Sequence, residues 1–149
     1  MRKFVVALLL LGACRSAGTP TPGTTGGKSA TGASSARAAV DGFLGAVRAQ
    51  DLQAMSGFWG RKQGPARDAI PRDELEKREL IMQCYLTHDR YRVVNEMSGE
   101  AGRRVIRVAL SRGEVTRETN FTTIEGPAQR WYVEEVDLGA TADLAKGCR

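Results

Sequence analysis

Six side chains are the candidates for moving a proton in this sequence: Asp41, His88, Asp89, Glu96, Glu118 and Glu135. General acid–base chemistry needs one such group buried with its pKa shifted toward the working pH, and a partner that orients water or holds an oxyanion. The spacing does not pair them. Asp41 falls opposite the apolar stripe of its helical segment, Glu96 alternates away from Tyr91, Val93 and Met97, and His88-Asp89 lies in a corner where a solvated or capping pair is expected. Glu135 stands out because on a strand it shares a face with Trp131 and Val133, although a charge at the rim of the sheet is the plainer reading. No catalytic residue is assigned, and a non-catalytic protein is expected. Trp59, Tyr85, Tyr91, Phe121 and Trp131, with Glu135, could line a ligand pocket, but aromatic residues in a small domain more often fill the core. With one histidine and three cysteines, soft ligands are too few for a structural zinc site, and no metal or cofactor is expected.

The cysteines lead to the amino terminus. Arg2 and Lys3 precede an apolar run from Phe4 to Leu11 that closes in Leu11-Gly12-Ala13-Cys14. A positive start, an apolar middle and small residues at the cut make an export signal. The run of eight residues is too short to span a bilayer core, which needs about 20. Leu-Gly-Ala-Cys resembles the lipobox of bacterial lipoproteins, whereas a plain secretory peptide would leave Cys14 an ordinary residue after the cut. The resemblance implies a signal peptide over 1–13, a diacylglycerol thioether on Cys14, and acylation of the new amino terminus by a chain such as palmitate. Two or three chains hold a protein on a membrane durably where one does not. The implied address is the bacterial cell envelope, lipid-anchored on the periplasmic or surface side.

With Cys14 given to lipid, Cys84 and Cys148 remain, and outside the cytoplasm such a pair is usually a disulfide; two buried free thiols are the alternative. The bond would close a loop of about 65 residues and stabilise the fold by roughly 4 kcal/mol through chain entropy. Residues 14–35 read as the lipidated cysteine and a disordered tether, since no aliphatic side chain larger than Ala occurs from Arg15 to Ser35. About 21 residues of this composition span on the order of 25 Å. Gly26-Gly27-Lys28-Ser29 lacks the earlier glycine of a phosphate loop, since position 22 is Pro, and belongs to the tether. Without Arg2 and Lys3, 20 basic residues stand against 17 acidic ones. That mild excess suits an anionic membrane surface and does not suggest nucleic acid.

Residues 36–149 are enough for a single domain. Val40, Phe43, Leu44 and Val47 mark a first helix, capped by Ser34 or Ser35. Asp51 caps a second, carrying Leu52, Met55 and Trp59 and ended by Gly60. After a polar loop from Arg61 to Ile70, Pro71 and Asp73-Glu74-Leu75-Glu76 open a third, with Leu80, Ile81, Cys84 and Tyr85 on its buried side. From Tyr91 the period becomes 2. Tyr91, Val93, Asn95 and Met97 share one face of a first strand, and Ile106, Val108 and Leu110 one face of a second. Turns at Ser111-Arg112-Gly113-Glu114 and Glu125-Gly126-Pro127-Ala128 separate two more, Val115 to Ile124 and Trp131 to Leu138. The fold class is α+β: three N-terminal helices on a curved four-stranded antiparallel meander. Arg92, Arg103, Arg107 and Arg117 could form a basic patch on an open sheet face.

The helix Ala39-Val40-Asp41-Gly42-Phe43-Leu44, then Ala49-Gln50-Asp51-Leu52, then a closing strand Arg130-Trp131-Tyr132-Val133 resembles the nuclear transport factor 2-like superfamily, over residue 36 to about 138. The resemblance implies a cystatin-like cone whose sheet wraps the long helix, with a cavity at the wide end. Its enzymes imply a carboxylate base and a positioning partner inside that cavity. The favoured expectation is a membrane-anchored module binding an envelope protein or an anionic lipid through its surface. The alternative is a carrier of a small hydrophobic ligand, or an enzyme, using the cone pocket. A filled cone favours the first, and a cavity above about 300 Å³ with an aromatic lining and a converging carboxylate favours the second.

Overall fold

Helix α1 (Ala36–Ala49) begins where Ser35 Oγ accepts the Ala38 N–H at 3.1 Å and ends at Gln50, which adopts a left-handed conformation. Its stripe of Val40, Phe43, Leu44 and Val47 is buried throughout. The computed structural model describes residues 31–145 and 147–148, so the lipobox, Cys14 and the tether up to position 30 lie outside the described residues. Residues 31–35, expected to be tether, are instead held in the fold. Arg130 donates from Nε to the Thr31 carbonyl at 3.1 Å and from Nη2 to the Gly32 carbonyl at 2.7 Å, and Ala33 forms an antiparallel bridge with Trp131.

Asp51 Oδ1 accepts the Ala54 N–H at 2.9 Å and starts α2 (Leu52–Phe58). Trp59 then leaves the helix in extended conformation and bridges to Val133. The expected polar loop is structured. β1 (Gly60–Arg61) pairs with β2 (Gly64–Pro65), and a one-turn helix α3 (Ala66–Ala69) follows. Gly60 is required there, because a Cβ would lie 2.4 Å from the Gly64 carbonyl oxygen. Among the described residues four α-helices precede the sheet, not three.

Helix α4 (Arg72–Tyr85) opens behind Pro71 with Asp73 and Glu74 at its positive end, as expected. Its buried side is not the expected one. Leu75, Glu79 and Met82 face inward, whereas Leu80 and Ile81 are 48% and 53% exposed and Cys84 and Tyr85 are half-buried. The stripe at i, i+4 and i+7 packs toward α2, and positions 80 and 81 lie about 100° and 200° around the helix from Glu79. The densest apolar pair thus faces solvent, and a carboxylate takes its place inside.

The four strands β3 (Arg90–Ser98), β4 (Arg104–Arg112), β5 (Val115–Glu125) and β6 (Trp131–Val136) form an antiparallel sheet in the order β3-β4-β5-β6. The α+β class and the meander are as expected. Ile106, Val108 and Leu110 of β4, Phe121 of β5 and Val133 of β6 are fully buried with the α1 stripe. Phe43 and Phe121 meet edge to face at 6.4 Å between ring centres. Two bulges break the strict alternation. One falls between Val93 and Asn95, so that Asn95 pairs with Arg107 and Met97 with Val105 on the outer face, while Glu96 comes opposite Ile106. The other, between β5 and β6, pairs Thr122 with Glu135 but Thr123 with Val133. A single extra residue reverses every side chain beyond it. Asn95 and Met97 therefore leave the face of Tyr91 and Val93, and Glu135 leaves the face of Trp131 and Val133.

The C-terminal segment Gly139–Ala145 is 3₁₀-helical and buries Thr141 and Leu144. Arg112 Nη1 donates to the Leu144 carbonyl at 2.5 Å, Arg117 pairs with Asp143, and Cys84 is bonded to Cys148 with Cα atoms 5.9 Å apart. That separation is ordinary for a disulfide, and the bond ties the tail to α4.

Candidate functional site

The space between α1 and the sheet is occupied by side chains, and two open grooves lie instead around α2, α3 and α4. The first, of about 450 Å³, runs between the β1–β2 hairpin, α3 and the start of α4, and is lined by Trp59, Arg61, Pro65, Asp68, Ile70, Glu74 and Arg78 among others. Its two α4 charges neutralise each other, since Arg78 Nη2 donates to Glu74 Oε1. The second, of about 480 Å³, is lined by Leu52, Gln53 and Ser56 from α2, Arg67 from α3, and Arg72, Leu75, Glu76 and Glu79 from α4.

Glu79 gives the second groove its chemistry. The side chain is 3% exposed, and Oε1 has no hydrogen-bond partner among the described residues. Burial, and after it the negative charge of Glu76, pushes its carboxyl up to about 7. At neutral pH the group is therefore shared between acid and carboxylate, able to donate, to accept, or to meet a cation. Around it Ser56 Oγ donates to the Gln53 carbonyl at 2.7 Å, and Arg67 Nη2 donates to Thr31 Oγ1. Glu79 is absent from the sequence-based set of acids and bases. The signal was present: Leu75, Glu79 and Met82 make a helical stripe with a charge in its middle.

The expected pocket residues are not brought together. Trp59 lines the first groove, and Phe121 is core against Phe43. Trp131 is tied through its backbone to Ala33, Tyr85 is half-buried at the end of α4, and Glu135 is exposed on the outer sheet face. Tyr91 donates its hydroxyl to Asp41 Oδ1 at 2.8 Å, and burial together with that carboxylate raises the phenol to about 12.

His88 is not the solvated corner residue expected. It is 4% exposed, with Nδ1 2.8 Å from the Leu86 carbonyl oxygen and its ring edge-on to Tyr91 at 5.5 Å. Burial holds its pKa below the usual histidine value. Asp89 does cap: its Oδ2 accepts the Gly113 N–H at 2.7 Å, pinning the corner to the β4–β5 turn. Glu96 is paired with Arg104, and Glu118 is exposed on the outer face.

The basic patch also disperses. Arg103 makes two hydrogen bonds to Glu134, at 2.5 and 3.0 Å, Arg107 reaches Asn120 Oδ1 at 3.3 Å, and Arg117 turns to Asp143. Arg92 and Arg107 share the outer face with Glu118 and Glu135, so the face is mixed in sign. Among the described residues no group of three or more His, Cys, Asp and Glu could hold a metal ion, and no helix is long and apolar enough to cross a membrane.

No protein-family model, no curated protein and no solved structure matches this chain.

Proposed function

We propose that this chain is an exported bacterial lipoprotein, anchored through lipid on Cys14, whose domain is a non-catalytic module that binds an envelope component at its helical corner. The observation that carries the binding site is where open space lies. The layer between α1 and the sheet is filled by Phe43, Leu44, Ile106, Leu110 and Phe121, while both grooves are bounded by α3 and α4. In a nuclear transport factor 2-like domain, the reading carried over from the order of elements, a filled cone argues against a ligand held inside and for recognition on the surface. The dispersed carboxylates support the non-catalytic part. Asp41, Asp89 and Glu96 each have a hydrogen-bonding or ionic partner, Glu118 and Glu135 face solvent, and His88 is enclosed. The anchor rests on the lipobox, and of the expected tether, residues 31–35 are held against the domain.

Two experiments test this reading. Cys14→Ser is expected to move the protein from the membrane to the soluble fraction, and unchanged partition overturns the anchor. A photo-crosslinking residue at Arg72, in the full chain in cells, is expected to capture an envelope component, whereas one at Glu118 on the outer sheet face captures none. Adducts from Glu118 alone, or from neither position, overturn the helical corner as the binding end.

A further inference from the structure

The groove over Glu79 poses an electrostatic problem that a ligand would solve. A carboxyl 97% removed from solvent usually has a full set of hydrogen bonds or a cation beside it, because desolvating an unpaired charge is costly. Here one carboxyl oxygen has no partner among the described residues and a second carboxylate, Glu76, lies one turn away. Among the described residues no group of three or more His, Cys, Asp and Glu could hold a metal ion, and the two carboxylates suit an ammonium group, which donates three short hydrogen bonds from a compact charge. The same groove carries guanidinium groups at Arg72 and Arg67, the second already donating to Thr31. Its lining therefore carries charges of both signs, and its volume of about 480 Å³ is that of a small-molecule site.

We propose that this groove binds a small zwitterion, its primary ammonium donating to the Glu79 carboxylate and its anionic group set against Arg72. The inference rests on the helical corner being the binding end and names the chemistry recognised there. Two envelope sources share that chemistry: a short peptide with free termini, and an ethanolamine phosphate headgroup. Binding of the ammonium completes the ionisation of Glu79 and releases its proton. The other charged groups lining the groove are Glu76 and Arg72 from α4 and Arg67 from α3, of which Glu76 acts on the Glu79 carboxyl, while α2 contributes the neutral Leu52, Gln53 and Ser56. Affinity should therefore tighten as pH rises from about 6 to about 7.5, through the range in which the free carboxyl titrates and below that in which a peptide's α-ammonium loses its proton.

Isothermal titration calorimetry on the full chain in detergent tests this with four probes: dialanine, phosphoethanolamine, and their blocked counterparts N-acetyldialanine and phosphocholine. At least one of the first two is expected to bind, with its blocked counterpart at least about tenfold weaker because it lacks the N–H donors. Glu79→Gln, an isostere that removes the charge, and Arg72→Gln, at an exposed position, should each weaken that binding by about tenfold while the thermal melt shows a folded protein. No heat from either probe up to about 10 mM, equal binding of the blocked forms, or unchanged affinity in Glu79→Gln overturns the zwitterion. Such a result alongside retained crosslinks at Arg72 overturns the ligand class alone. Loss of those crosslinks overturns the corner itself.

Discussion

The α1–sheet layer and the α2–α4 corner are built from the same kinds of residue and reach opposite ends. In the first, the inward positions are mostly apolar, Phe43 interlocks with Phe121, and the buried hydroxyls of Thr119 and Thr123 donate to the carbonyls of Asp137 and Arg104. In the second, the helix that closes the corner turns Leu80 and Ile81 to solvent and buries Glu79 without a partner for Oε1. A helix that exposes its leucine–isoleucine pair and buries a carboxylate is giving up hydrophobic stabilisation at that place. Sites of recognition are where such local losses are expected, and the well-packed layer beside it supplies the stability that tolerates them.

The contrast predicts unequal effects. Phe43→Ala should cost about 3–5 kcal/mol in denaturant unfolding, since it empties the centre of the filled layer. A loss below about 1 kcal/mol would mean that layer is loosely packed. Cys84→Ser should cost about 2–4 kcal/mol and lower the melting temperature as far as reductant lowers that of the native chain, because the bond closes a separation of 64 residues.

Glu79→Gln should change stability in a pH-dependent direction. The folded-state carboxyl titrates at about 7 against an ordinary value of 4.5, so the native chain binds more protons folded than unfolded between those values. Its contribution is fully present below 4.5 and is lost as pH rises through about 7, so the variant should melt above the native chain at pH 8 and close to it at pH 4.5. His88 works in the other sense. Its pKa is lowered by burial, so its contribution is present above the ordinary 6.5 and is lost as pH falls from there. His88→Gln should therefore flatten the acid side of the melting profile and leave the alkaline side unchanged in shape. The smallest effect belongs to the exposed face of α4: Leu80→Ser should change stability by no more than about 0.5 kcal/mol, the range of surface substitutions.

Much of the filled layer was legible in the sequence, and little of the corner. The stripe of Val40, Phe43, Leu44 and Val47, the caps at Ser35 and Asp51 and the turn at Ser111–Glu114 are local signals, and each stands where it was read. The two bulges were not legible, because period 2 carries no mark of an inserted residue, and they moved Asn95, Met97 and Glu135 to the other face. The β1–β2 hairpin was hidden in a polar run, although Gly60 and Gly64 flank its turn. On α4 the densest apolar cluster, which includes Leu80 and Ile81, points to a buried side that the fold does not use. Tertiary packing chose the stripe of Leu75, Glu79 and Met82 instead, and with it the one buried carboxylate missing from the acid–base set.

The most direct test of the contrast is the side-chain carboxyl ¹³C shift of Glu79, followed against pH by NMR in the full chain. A midpoint at about 7 is the result predicted for a buried carboxyl beside Glu76 whose Oε1 has no partner among the described residues. A midpoint at the ordinary 4.5 would place Glu79 in water and contradict the account of the helical corner.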